Sequence, residues 1–137
     1  MIEQGLHAYL ASVPAVAALL TADGITRIYP LLIPQQAPTP CVVYQITSTT
    51  RTQTYCGTIA LIRSVVQLDS YGRTYPQAVA VAAALYDALI DYKGMMGAVD
   101  VRDCVPEAES DFQDPEPGLY RRYQSWGIWL IQPGAHQ

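Results

Sequence analysis

Acidic side chains are the residues of this chain whose types and spacing could do chemistry, because seven of them lie between positions 100 and 116. Carboxylates at this density could hold a hard cation or act as a general acid and base. Calcium loops place acids at fixed alternate positions around a glycine, and the segment has no such pattern. We therefore predict a solvated hairpin protected by its charges, with these acids: Asp100, Asp103, Glu107, Glu109, Asp111, Asp114 and Glu116.

Nucleophilic catalysis needs a nucleophile, a base and an orienting group within hydrogen-bonding reach. His7 falls on the polar side of the first predicted helix, and His136 stands next to the last residue, where chains usually fray. The three cysteines, Cys41, Cys56 and Cys104, are odd in number and widely spaced, unlike a disulfide framework or a zinc knuckle. We therefore expect no enzymatic activity, no metal and no cofactor.

The composition fits a single domain over residues 1–137, with 50 % hydrophobic residues to form one core. A formal net charge of -4 argues against a general nucleic-acid binder, because that affinity comes from clustered cations. No stretch approaches the ~20 apolar residues of a membrane helix. The first 20 residues lack the basic start of a signal peptide. A soluble protein made in the cytoplasm is expected.

Short elements are predicted to open the chain. Apolar residues from Ile2 to Leu10 recur at helical spacing. Ser12 is expected to cap a second short helix that tolerates Pro14 in its first turn. A brief strand follows at residues 25–29, and four prolines between positions 30 and 40 predict an extended connecting arm.

Two central strands are predicted at residues 41–50 and 60–71, where β-branched and aromatic residues concentrate. The connection at residues 51–59 is polar at its start and long for a tight hairpin, so we expect it to project from the edge of the sheet. Projection makes it a candidate contact loop, with Arg51, Gln53 and Tyr55 as its contact residues.

The main helix is predicted at residues 75–92, where apolar residues form a stripe at helical spacing. Thr74 is its expected N-cap, and Pro76 suits its first turn. Small residues recur every four positions away from the main stripe, at Ala80, Ala84 and Ala88. This second row either accommodates another helix or subunit, or reflects only the high helix propensity of alanine.

A long C-terminal hairpin is predicted from strands at residues 99–105 and 119–131. In the second strand, Arg122 and Trp126 point to one face, while Trp129 points to the other, and both faces become apolar. One apolar face can pack on the helix, and the other needs a cover. Arginine with tryptophan is typical of interface anchors, so Arg121, Arg122 and Trp126 are candidates. Alternatively, the arginines pair with nearby acids and the aromatic residues are core.

The order of these elements predicts an α+β fold with two layers. An antiparallel or mixed sheet of about five strands packs on one long helix, with short N-terminal helices and the long C-terminal hairpin.

Several segments in chain order carry a family resemblance: IEQGLHAYLASVPAVAALL, RIYPLLIPQQAPTPCVVYQ, LIRSVVQLDSYG with TYPQAVAVAAALYDAL, and PEPGLYRRYQSWGIW. Together they resemble the tail completion protein family of long-tailed bacteriophages. The resemblance runs along nearly the whole chain and rests on the joint order of the motifs, including RIYP and GLYRR.

The resemblance implies a non-enzymatic virion protein at the head-proximal end of the tail, which acts as a tail terminator or head-to-tail joining protein. Such proteins form rings, typically hexamers, that end tail-tube growth and dock onto the neck. The implied partners are further copies of the chain, the tail tube protein and the head-tail connector. DNA would only pass through the lumen, and assembly would take place in the host cytoplasm.

Two alternatives remain open at this point. One is another virion protein of similar fold, a neck adaptor one ring closer to the head. The other is a small enzyme or ligand-binding α+β domain that uses the acidic hairpin and the aromatic residues as a pocket.

Overall fold

Three helices pack against one face of a mixed β-sheet. The computed structural model describes residues 2–22, 25–31, 39–53, 59–97, 99–113 and 119–133. Its elements in chain order are α1 (Ile2–Ser12), α2 (Pro14–Leu20), β1 (Thr21–Ala22), β2 (Ile25–Thr26), β3 (Ile28–Pro30), β4 (Cys41–Gln53), β5 (Ile59–Gly72), α3 (Tyr75–Leu89), β6 (Gly94–Met96), β7 (Val99–Gln113) and β8 (Tyr120–Pro133).

The main sheet has six strands in the order β3-β4-β5-β8-β7-β6. Strand β3 runs parallel to β4, and every other neighbouring pair in this sheet is antiparallel. The short strands β1 and β2 form a separate antiparallel pair. The α+β class and the mixed sheet are thus as predicted. The prediction of about five strands is not matched exactly by the six of the described residues, because β6 was not anticipated and the expected strand at residues 25–29 is divided between β2 and β3.

The hydrophobic core lies between the sheet and the helices, on what we call the helix face of the sheet. Alternate residues of β5 and β8 supply it, including Ile62 and Leu68 of β5 and Trp126 and Leu130 of β8. On the opposite face, called the open face, a smaller cluster is formed by Cys41, Val43, Tyr71, Tyr29 and Leu119. The predicted division of β8 into two alternating faces is confirmed.

Helix α3 begins as the sequence predicts and ends earlier. The Thr74 hydroxyl accepts a hydrogen bond from the Gln77 amide at 3.3 Å, which confirms Thr74 as the N-cap. The helix ends at Leu89, three residues before the predicted end, and Asp91 then adopts a φ of 53°. This left-handed residue turns the chain towards β6, so residues 90–92 do not continue the helix.

The two N-terminal helices are present, but Ser12 does not cap the second. Its hydroxyl donates to the Tyr9 carbonyl at 2.6 Å, and Val13 occupies the N-cap position of α2 without a side-chain hydrogen bond. Helix α1 packs directly on β6 at Gly5. The approach is so close that a Cβ at Gly5 would collide with the backbone carbonyl of Met96. None of the helices in the described ranges is both long and apolar enough to cross a bilayer.

The four central strands are longer than their apolar patterns. They contain 13 to 15 residues each, which at ~3.3 Å per residue makes them roughly twice as long as α3. Strand β4 continues through Gln53, so the predicted loop at residues 51–59 is wrong at both ends. The connection is reduced to residues 54–58, which lie outside the described residues.

Candidate subunit interface

The residues predicted to contact other subunits fall on three elements. Arg51 and Gln53 lie in β4, the three alanines lie on α3, and the remaining three residues lie in β8. Arg51 is exposed and stands opposite Ile62 of β5. Tyr55 lies outside the described residues. The structure therefore does not gather the predicted residues into one patch, and their contacts between subunits stay predictions.

The alanine row of α3 is largely occupied within the chain. Ala84 and Ala88 are half-buried and pack against the core, and the Tyr9 hydroxyl donates to the Ala88 carbonyl at 2.6 Å. Helix α2 also contacts α3. The small side chains thus admit helices of the same chain. Ala80 is exposed and is the member of the row that stays available at the surface.

Trp126 lies in the core of its own chain. Its side chain is 1 % exposed, and its ring lies 5.5 Å from the Tyr86 ring of α3, centroid to centroid. A side chain of this size contributes several kcal/mol when fully buried. The packing gives Trp126 a role in holding β8 to α3, which is the alternative that the sequence left open.

Arg122 joins the two strands of the hairpin on the helix face. Its Nη2 lies 3.2 Å from Glu109 Oε1, and its Nε lies 3.3 Å from Asp111 Oδ1, both on β7. The Tyr75 hydroxyl of α3 donates to Asp111 Oδ2 at 2.6 Å, and this hydrogen bond is the main cause of the raised pKa of Tyr75. The two acids are therefore paired with Arg122, which is the alternative that the sequence left open for this arginine.

Gln124 extends this network into the core. Its Nε2 donates to Glu109 Oε2 at 2.8 Å and to the Ala82 carbonyl of α3 at 3.1 Å. Gln124 is only 2 % exposed, so these bonds satisfy a buried amide nitrogen that would otherwise be costly. The hairpin is thus held to α3 by the hydrogen bonds of Gln124 and Tyr75 as well as by apolar contacts.

A second ion pair lies on the open face. Arg63 of β5 pairs with Glu107 of β7 across the intervening strand β8. The pair passes over Gly127, where a Cβ would lie 2.6 Å from Glu107 Oε2. The Arg63 guanidinium also lies 5.9 Å from the centroid of the Trp129 ring, within cation–π distance. Glycine at 127 therefore leaves the room that this ion pair occupies.

Chemistry by thiols or metal ions gains no support from the described residues. Burial raises the pKa of Cys41 to about 11 and that of Cys104 to about 12, which disfavours a thiolate at neutral pH. Within the described ranges, no three histidine, cysteine or acidic residues come close enough to share a metal ion. His7 contacts the Tyr44 ring at 6.4 Å between centroids, and His136 lies outside those ranges.

Comparisons with known proteins identify what the chain is similar to. A family model described as tail completion protein gp17 matches residues 4–130. A chain in a solved structure titled "Virion of native gene transfer agent (GTA) particle" has the same fold, with a TM-score of 0.70 at 16 % sequence identity. The alignment covers 93 % of this chain and 92 % of that chain. No curated protein matches the sequence.

Proposed function

Because this chain belongs to the tail completion protein gp17 family, we propose that it ends tail-tube growth and joins the phage tail to the neck. The family match over residues 4–130 carries this proposal. Family membership makes the chain a structural protein of a phage virion. The finer proposal is a homo-oligomeric ring, a hexamer, at the head-proximal end of the tail.

The cross-linked sheet supports a structural role. Four long strands form a sheet stiffened by ion pairs on both faces, with Arg122 on the helix face and Arg63 on the open face. Two hydrogen bonds connect the hairpin of β7 and β8 to α3, one from Gln124 to the Ala82 carbonyl and one from Tyr75 to Asp111. A rigid subunit of this kind suits a ring that must keep one shape between two partners.

The proposed mechanism depends on two different ends of one ring. One end matches the last ring of the tail tube protein, and the other matches the head-tail connector. Binding of the first end removes the surface to which the next tube ring would add. The net charge of -4 per chain suits a lumen through which DNA passes, because repulsion from phosphates opposes sticking.

A neck adaptor one ring closer to the head is the second candidate, since it would need the same rigid ring. The two candidates predict different assembly defects. Loss of a terminator leaves the tube free to grow beyond its normal length. Loss of an adaptor leaves tubes of normal length that are not joined to heads.

Electron microscopy of particles assembled without the protein tests the proposal. We expect overlong tubes without heads, and a return to normal length and attachment when the protein is supplied in trans. Tubes of normal length that fail to attach would favour the adaptor. Normal infectious particles in the absence of the protein would contradict both roles.

A further inference from the structure

Two segments at opposite edges of the sheet are not paired with an outer strand among the described residues. Strand β3 covers β4 only at residues 42–44, and β6 covers β7 only at residues 99–101. Residues 48–53 of β4 and residues 108–113 of β7 lie beyond the bulges in their strands and keep a regular register with their inner neighbours. Each is a six-residue edge that offers backbone groups for pairing.

Both edges direct the backbone groups of helix-face residues outward. On β4, the Tyr44 carbonyl accepts a hydrogen bond from the Leu31 amide, so the backbone groups of Tyr44 point away from β5. Backbone groups point to alternate sides along a strand, and β5 pairs with β8 without interruption. The residues of β4 beyond the bulge whose backbone groups point outward are therefore Thr49 and Arg51. On β7, the Cys104 carbonyl accepts from the Asp91 amide on the outer side, and the register of β8 extends the alternation to Glu109 and Asp111.

The two edges also have compatible directions. Strands β4 and β7 run antiparallel to each other, because three antiparallel pairings separate them. A second copy placed beside the first, with its helix face on the same side, therefore brings its β7 edge antiparallel to the β4 edge. The outward backbone groups of helix-face residues then meet each other, as an antiparallel ladder requires.

Charge favours registers of this pairing that place Arg51 opposite an acid. Arg51 is the single charged side chain of residues 48–53, whereas residues 108–113 contain Glu109 and Asp111, two acids that share Arg122 within their own chain. When Arg51 stands opposite Glu109, Thr49 stands opposite Asp111 and Thr50 opposite Ser110. Pairing of two β7 edges would instead place acids against acids, which is destabilising. The complementary charges thus favour a head-to-tail contact over a two-fold one.

The stagger of the two edges agrees with a closed ring. Arg51 is level with Ile62 of β5, and Glu109 is level with Leu68, six residues further along that strand. From one copy to the next, the sheet therefore advances by four strand spacings, ~19 Å, and shifts by ~20 Å along the strand direction. These two distances give an angle of roughly 45° between the strands and the ring axis. Closed β-sheets have strand tilts of about 35–45°, close to this value.

We infer that residues 48–53 of one copy pair with residues 108–113 of the next copy as antiparallel strands, and that this pairing continues the sheet around the ring. The occupant of each edge is a second copy of this chain. The inference rests on the proposed ring and adds the contact that closes it.

Disulfide trapping in assembled particles tests the pairing. The variant Thr50→Cys/Ser110→Cys, made with Cys56→Ser, leaves the buried Cys41 and Cys104 as the other thiols. Within one chain the new thiols lie three strands and six residues apart, well beyond the ~7 Å limit between Cα atoms in a disulfide. The control Thr49→Cys/Ser110→Cys places its thiols on opposite faces of the sheet.

We expect mild oxidation of particles with the first variant to give multimers in steps of 15.0 kDa on a non-reducing gel, and the control to stay monomeric. If particles contain the protein but the first variant gives no multimers, or the control gives as many, the pairing is wrong and the ring proposal stands. If particles made with the natural chain lack the protein, both the proposed function and the pairing fail.

Discussion

At the scale of single residues, a substitution at Trp126 distinguishes a role in folding from a role between subunits. The side chain is fully buried against Tyr86 in its own chain. We expect Trp126→Ala to lower the free energy of unfolding by about 3–5 kcal/mol, because it removes a large side chain and leaves a cavity. Urea unfolding of the dilute protein, followed by circular dichroism, measures the loss.

Trp129→Ala is the matched control for this change. Trp129 is half-buried on the open face beside Arg63, so its removal should cost clearly less than that of Trp126. An unchanged unfolding midpoint for Trp126→Ala, together with loss of ring assembly, would show that Trp126 acts between subunits after all.

Gly127 gives a second test at this scale. A Cβ at this position would lie 2.6 Å from Glu107 Oε2 and 3.1 Å from Arg63 Nη2, so the ion pair must move. We expect Gly127→Ala to be more destabilising in the natural chain than in a Glu107→Ala background, by about 0.5–1 kcal/mol. A double-mutant cycle from denaturant unfolding measures this difference, and equal effects in the two backgrounds would mean that the ion pair does not limit residue 127.

At the scale of elements, the start of α3 depends on one hydroxyl. The Thr74 side chain accepts from the Gln77 amide, one of the helix donors that lack a partner within the helix. We expect Thr74→Ala to lower the free energy of unfolding by about 1 kcal/mol and Thr74→Ser to retain most of it. Thermal unfolding of the three proteins checks this, and equal losses for alanine and serine would exclude capping as the cause.

Elements with strong local signals were predictable from the sequence. Helix α3 has a capping threonine and an apolar stripe, and β8 has an alternation that assigned Arg122 and Trp126 to one face. The pairing of Arg122 with acids was also foreseen as one of two outcomes. These features depend on residues close together in sequence, where spacing alone determines which side chains share a face.

Features that depend on distant partners were not predictable. The three-residue strand β6 has no periodicity of its own and exists because it pairs with residues 99–101. Polar residues 51–53 looked like a loop, yet they continue β4 because Ala60, Leu61 and Ile62 of β5 stand opposite them. Arg51 and Gln53 were predicted to make contacts from a loop, but their place on a strand edge was not predicted, since an edge is defined by the order of strands in the sheet.

At the scale of the whole molecule, charged side chains form local ion pairs, but acidic residues outnumber basic ones. Arg122 of the hairpin and Arg63 of the open face pair with acids of β7, so their positive charge is partly neutralised within the chain. The formal net charge stays at -4, and a ring of copies multiplies it. Such a ring repels DNA as a whole, although DNA passes close to it in the proposed role.

We therefore expect no measurable binding of duplex DNA by the purified protein, even at low ionic strength, where non-specific affinity is greatest. Fluorescence anisotropy of a labelled duplex, titrated with protein at about 50 mM and then about 200 mM salt, measures it over the range in which cationic binders lose most of their affinity. Binding that appears at low salt and weakens steeply as salt is added would mean that cations gather on one surface of the ring. A cationic surface of this kind would contradict the proposed repulsion between the ring and the genome.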